Sequence, residues 1–300
     1  MGGQLRIVDP HVHLWDLSRA RYGWLQDDPL PNNPAGDMSG IAHRNYLPGD
    51  YMADTAGWRV DKIVHVECGL PIGRQLAETD WLQGLADQYG YPHGIVAGAD
   101  LLDPDLDALL EAHAARPNVR GVRQIVCWHA NPSKTYTDRD LLLDPAWEAG
   151  FGKLARHGLS FDLQLYPSQM ATAAAIAGRH PDIPIIVNHA GLPTDRDAAG
   201  LAVWRDGLRR LAALPQVSIK ISGLGIVDRA WTLQSISPIV RECIDVFGVD
   251  RAMFASDFPV EKVHGAFGAF YAAFDAITRH FSTDDRDRLF ARTAEAVYRI

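Results

Sequence analysis

The feature that most constrains this chain is a recurrence. Eight short runs rich in β-branched and other apolar residues are spaced along it: LRIVDPH (5–11), DKIVHVE (61–67), HGIVAGA (93–99), RGVRQIV (120–126), LSFDLQLY (159–166), IPIIVNH (183–189), VSIKISG (217–223) and RAMFASD (251–257). Their mean spacing of about 35 residues holds a strand, a helix and two loops. Strands that alternate with helices form a parallel sheet. Eight such units predict closure into a (β/α)8 TIM barrel, a single domain over residues 1–300. The open doubly wound alternative would place a glycine-rich phosphate turn after an early strand. The nearest candidate, SGLGIVD (222–228), lacks the third glycine.

Helical spacing supports the alternation. PDLDALLEAHAAR (104–116) has proline in its first turn, and DPAWEAGFGKLARHG (144–158) opens on Asp-Pro and closes on Gly158. SQMATAAAIAGRH (168–180) reads as a helix with a serine cap, and 201–214, 237–248 and 264–281 also carry helical periodicity. The first interval is different. Residues 14–59 form a long excursion that contains the turn-rich stretch DDPLPNNPAGD (27–37). It follows the first strand, so it emerges on the face where barrels carry their sites. The expectation is a lid or rim bearing Trp24, His43, Tyr46 and Tyr51, with a packing or subunit-contact loop as the alternative.

The formal net charge of −8 and the absence of a dense Lys/Arg run argue against nucleic acid as a partner. No apolar run reaches the ~18 residues of a membrane helix. The start, MGGQLRIVDPHVH, shows no basic stretch followed by an apolar core, so no secretory signal is expected. Three scattered cysteines without a CxxC pair suggest neither a disulfide framework nor a cysteine zinc site, and they fit a cytoplasmic protein. A small polar or anionic molecule is the expected partner, and a homo-oligomer stays open.

The chemistry gathers at strand ends. His11 and His13, in DPHVHLWD (9–16), are two apart, so on a strand both imidazoles face the same side. Two neutral imidazoles there can hold a metal or bond a substrate. His189 ends the sixth run and Asp257 the eighth. Polar groups at the C-terminal ends of barrel strands read as catalytic. DPDLDALLE (103–111) lacks the glycine of a calcium loop. Cys127 and His129 lie too close on one strand to act as nucleophile and independent base. There is no GxSxG and no HExxH.

DPHVHLW after strand one, NHAG after strand six, IKISGLG at strand seven and SDFPV after strand eight resemble the amidohydrolase superfamily, spanning essentially the whole chain in order. The similarity is to the amidohydrolase-2 branch, which contains sugar-acid lactonases, pyrone-dicarboxylate lactonase and metal-dependent decarboxylases; RYGWLQ (21–26) resembles an aromatic segment of the sugar lactonases. The resemblance implies that Asp257 is the general base that activates water and that His189 polarises or orients the substrate. It implies that His11 and His13 bind a metal or contact substrate directly. Metal-dependent members have a histidine at the end of strand five, where this chain has Gln164 or Tyr166, neither of which suits zinc. A binuclear centre is therefore not expected. The expectation is no cofactor, or one divalent ion, zinc first, held by His11, His13, Asp257 and His189.

Arg123 is the expected contact for a substrate carboxylate or hydroxyl, with a core-edge salt bridge as its alternative and Gln124 as the other-face alternative. Lys220 is expected either at the mouth or in a buried pair with Glu67. Glu67, Gln164, Tyr166 and Trp24 complete the candidate substrate contacts, with Trp128 and His129 at the rim. These residues point to hydrolysis of a small lactone, sugar-acid or carboxylated pyrone-type. The rivals are a metal-dependent non-oxidative decarboxylase of an aromatic or muconate-type acid and a catalytically silent, metabolite-binding barrel.

Overall fold

The computed structural model describes residues 5–300; residues 1–4, part of the stretch read for a signal, lie outside the described residues. Eight parallel strands follow one another in sequence order around one sheet. They are β1 (Arg6–Val12), β2 (Arg59–Val66), β3 (Gly94–Gly98), β4 (Val119–Arg123), β5 (Ser160–Leu163), β6 (Ile185–Val187), β7 (Val217–Ile221) and β8 (Ala252–Phe254). The seam between β8 and β1 is joined near the C-terminal ends of the two strands. His13 N donates to Phe258 O at 2.8 Å, and Asp257 N donates to His11 O at 2.9 Å. These two bonds bring the first and last motifs of the chain side by side.

The helices fall where apolar spacing places them, at Leu106–Ala114, Pro145–Gly152, Met170–Arg179, Ala198–Ala212, Leu233–Phe247 and Phe267–Thr278. Asp144 caps its helix by accepting from Ala146 N, and Gly158 ends the following turn in the left-handed region at φ 63°. The serine cap expected at residue 168 does not form. A 3-10 turn, Pro167–Gln169, leads into that helix instead.

Helix Gln75–Tyr89 had no clear sequence signature. Its buried face is Gln75, Glu78, Thr79, Leu82 and Gln83, so the apolar stripe that betrays most barrel helices is missing. The floor of the barrel is closed by the C-terminal helix Thr293–Tyr298. Ala294 and Tyr298 pack there against Val8, Val64, Val96, Ile186 and Met253. No helix among the described residues is long and apolar enough to cross a membrane.

Candidate active site

The C-terminal ends of the strands bring His11, His13, His189 and Asp257 together. His11 Nε2 lies 3.4 Å and His13 Nε2 3.2 Å from Asp257 Oδ1, and the two ring nitrogens are 3.2 Å apart. His189 Nδ1 lies 3.9 Å from Asp257 Oδ2 and 3.1 Å from Ser222 Oγ. The chain bends sharply to present two of these groups: His189 and Asp257 hold φ of 53° and 59°. Left-handed backbone at a non-glycine residue costs on the order of 1–3 kcal/mol and persists only where its surroundings hold it. Gly223, in the IKISGLG motif, makes room for this arrangement, because a Cβ there would lie 2.6 Å from His189 Cβ.

The partners of the rings assign their protons. His13 Nδ1 faces the Val66 carbonyl at 2.8 Å, so that nitrogen donates and Nε2 keeps its lone pair. Lys220 Nζ lies 3.4 Å from His11 Nδ1. An ammonium can only donate, so the proton of His11 sits on Nε2, facing Asp257. Burial holds all three imidazoles neutral. His13 is lowered to about 3, and His11 and His189 fall well below the ordinary histidine range, with neighbouring cations adding to the effect.

Asp257 shows the opposite response. Burial raises its carboxyl to about 8, against the opposing pull of Arg123 and Lys220. Its Oδ2 is buried and has no hydrogen-bond partner among the described residues. Asp9, which opens the first motif, holds the seam beneath. It accepts from Ser256 N at 2.9 Å and from Tyr51 OH at 2.7 Å. Glu261 accepts from Gly225 N and Ile226 N at 2.9 and 3.0 Å and so fixes the loop after β7.

A cavity of about 300 Å³ opens above this cluster. Of the residues singled out from sequence, His13, His189, Asp257, Arg123, Gln164, Glu67 and Trp24 border it. His11 is fully buried beneath. Arg123 donates from Nε to Glu67 Oε1 at 2.7 Å, from Nη2 to Glu67 O at 2.7 Å and from Nη1 to Gln164 Oε1 at 3.0 Å. Gln124 points the other way, to Asp100 and Trp147. Lys220 does not reach the cavity. It is fully buried and paired with Asp162, a residue not singled out from sequence, while Glu67 is taken by Arg123. Tyr166 also stays away from the cavity, its hydroxyl donating to Lys134 O.

Part of the long excursion borders the cavity, through Trp24 and residues 31–35. Trp24 Nε1 is anchored to Cys68 O at 2.8 Å. Tyr46 and Tyr51 turn inward, onto Asp54 and Asp9, and His43 is exposed outside the cavity. Sequence reasoning missed Tyr136, which borders the cavity from the loop after β4. Only its place in that βα loop could have pointed to it.

His11, His189 and Asp257 each offer one ligand atom, all within 4.8 Å of one another. Neutral imidazoles and an unpaired carboxylate oxygen are donors that suit a divalent ion such as zinc, and His11 would have to give up its Nε2 proton to present a lone pair there. A second group, His65, Cys68 and Glu78, lies nearby. There His65 Nδ1 accepts from Leu14 N at 3.1 Å, which leaves the proton on Nε2.

Eight parallel strands with this histidine–aspartate cluster at their C-terminal ends define a barrel of the amidohydrolase type. The chain belongs to the amidohydrolase family Amidohydro_2, whose profile matches residues 8–300. It is 43% identical to the uncharacterized protein y4mH of Sinorhizobium fredii over 99% of both chains. It is 28% identical to an L-fucono-1,5-lactonase of Burkholderia ambifaria, over 98% of this chain and 95% of that one. An amidohydrolase from Burkholderia multivorans, crystallised with bound zinc, superposes with a TM-score of 0.81 at 26% identity, covering 98% of this chain and 99% of that chain.

Proposed function

We propose that the protein hydrolyses a small, neutral, polyhydroxylated lactone of the sugar-acid type, with Asp257 as the general base. The observation that carries this reading is the unpaired Oδ2 of Asp257, buried at the edge of the cavity among three neutral imidazoles. A carboxyl raised to about 8 is a far stronger base, once ionised, than an ordinary aspartate. It takes a proton from water as the water oxygen bonds to the lactone carbonyl carbon. The carbonyl π pair moves onto oxygen. Arg123 retains N–H groups on Nη1 and Nη2 beyond those given to Glu67 and Gln164, and these donors, with His189, face that charge. When the tetrahedral intermediate collapses, the ring C–O bond breaks and Asp257 returns its proton to the leaving alkoxide. If a divalent ion occupies His11, His189 and Asp257, it supplies a Lewis acid for the carbonyl and lowers the pKa of bound water.

Charge favours a neutral substrate over a carboxylated pyrone. Arg123 is the one Lys or Arg side chain among the described residues bordering the cavity, and Glu67 already compensates it. A second carboxylate would enter without an unpaired cation to meet it. The L-fucono-1,5-lactonases among the relatives agree with this choice. At the end of β5, Gln164 is committed to Arg123, which leaves no histidine there for a decarboxylase-type metal set. The test is a panel of aldono-lactones and carboxylated pyrones, assayed by acid release. We expect turnover of one or more sugar lactones, and a loss of about 10³-fold in Asp257→Asn. Equal and negligible rates in both proteins would refute the proposal.

A further inference from the structure

Resting on the lactonase reading, we propose that Tyr136 is a further catalytic residue, its hydroxyl donating a hydrogen bond to the lactone ester oxygen that gains negative charge during turnover. Tyr136 comes from the loop between β4 and the 3-10 turn Leu141–Leu143. It borders the same cavity as Arg123, Gln164, His189 and Asp257.

The ring is carried by a loop held at several points. Tyr136 N donates to Cys127 O at 2.9 Å, and its ring packs on Cys127, Tyr166 and Leu192. On one side, Tyr166 OH donates to Lys134 O, and Lys134 Nζ pairs with Asp195 Oδ1 at 2.6 Å. On the other, Thr135 Oγ1 donates to Thr137 O at 2.8 Å. The ring is thus fixed in place, as a preorganised donor must be.

The hydroxyl itself has no hydrogen bond among the described residues. The hydroxyls of Tyr22, Tyr46, Tyr51, Tyr166 and Tyr298 each have a protein partner. Tyr89, Tyr91 and Tyr271 are also unpaired among the described residues, but none of them borders the cavity; the Tyr271 ring packs among Trp58, Phe267, Phe274 and Phe290. A polar group held against a cavity without a partner awaits one from the ligand. Burial raises the Tyr136 phenol well above its ordinary range. The group therefore stays an O–H donor throughout the working pH range, and the proton of the leaving alkoxide still comes from Asp257.

Tyr136→Phe tests this cleanly, because the atom removed holds nothing in the protein. On the sugar lactone that the wild-type enzyme turns over best, kcat should fall about 100-fold with KM within about 2-fold. The thermal unfolding midpoint should not change. A rise in KM at constant kcat would overturn the inference, since the hydroxyl would then serve ground-state binding alone. Unchanged kinetics would overturn it too. So would loss of the fold, which contradicts a hydroxyl without a partner. A wild-type enzyme inert to every lactone would instead remove the lactonase reading, and this inference with it.

Discussion

Asp162 and Asp257 are both fully buried aspartates inside one barrel, and His11 stands between them. Lys220, the partner of Asp162, lies 3.4 Å from His11 Nδ1, and Asp257 lies 3.4 Å from His11 Nε2. Their surroundings differ completely. Asp162 accepts from Lys220, from Asn188 Nδ2 at 2.9 Å, and from Tyr298 OH at 2.9 and 3.0 Å to its two oxygens. Asp257 shares Oδ1 with two neutral imidazoles and leaves Oδ2 bare. A saturated carboxylate ties strands and floor together. An unsaturated one holds unfavourable desolvation in place for a ligand to relieve. The distinction between Asp162 and Asp257 therefore lies in their partners, since burial is the same for both.

The sharpest way to break this contrast is stability. Asp162→Asn would leave the Lys220 ammonium buried without its counter-charge, and breaking such a pair costs about 3–5 kcal/mol. Asp257→Asn removes a carboxyl that the fold holds at a cost, and it should not destabilise the protein. Urea unfolding of the two variants at neutral pH measures both. Equal destabilisation would erase the difference between the two sites.

Titration gives the next effect. The Asp257 carboxyl is raised in the folded state to about 8 from an ordinary value of 3.8. Between those values the unfolded chain has lost this proton and the folded one retains it, so this group's contribution to stability falls as pH rises. The advantage of Asp257→Asn over wild type should therefore grow from about pH 4 to about pH 8 and then level off. If Asp257 is the general base, activity runs the other way, because the base must be ionised. kcat/KM should climb nearly tenfold per pH unit below about 8 and flatten above it. A pH-rate profile already flat at pH 6 would show that Asp257 titrates like an ordinary carboxylate.

How much of this was legible in the sequence follows the same division. Strand ends carry their chemistry in register with the backbone, so His11, His13, His189 and Asp257 could be placed from their positions in the alternation alone. Partners across the barrel could not. From sequence Lys220 points into the mouth or pairs with Glu67, but β4 delivers Arg123 to Glu67, and Lys220 is buried against Asp162 instead. That choice depends on how the strands are staggered around the barrel, which no local pattern records. Helix Gln75–Tyr89 was hidden because it buries polar side chains. Tyr51 reads as a lid residue because it lies in the long excursion that follows the first strand, on the face where barrels carry their sites. It turns inward because Asp9 needs a donor.

The smallest effect probes that last contact. Tyr51 OH is one of three donors to Asp9, with Ser256 N and His11 N, and burial raises the Asp9 carboxyl to about 6. Tyr51→Phe removes one neutral donor and leaves the two backbone donors, so destabilisation should be modest, about 1–2 kcal/mol. Because Ser256 precedes Asp257, a looser Asp9 also loosens the turn that presents the proposed base. kcat should drop a few-fold, with KM unchanged, since no substrate contact is lost. If Asp9 behaves like Asp162, the stability loss will appear without the kinetic one, and the seam between β8 and β1 will prove to be structural support alone.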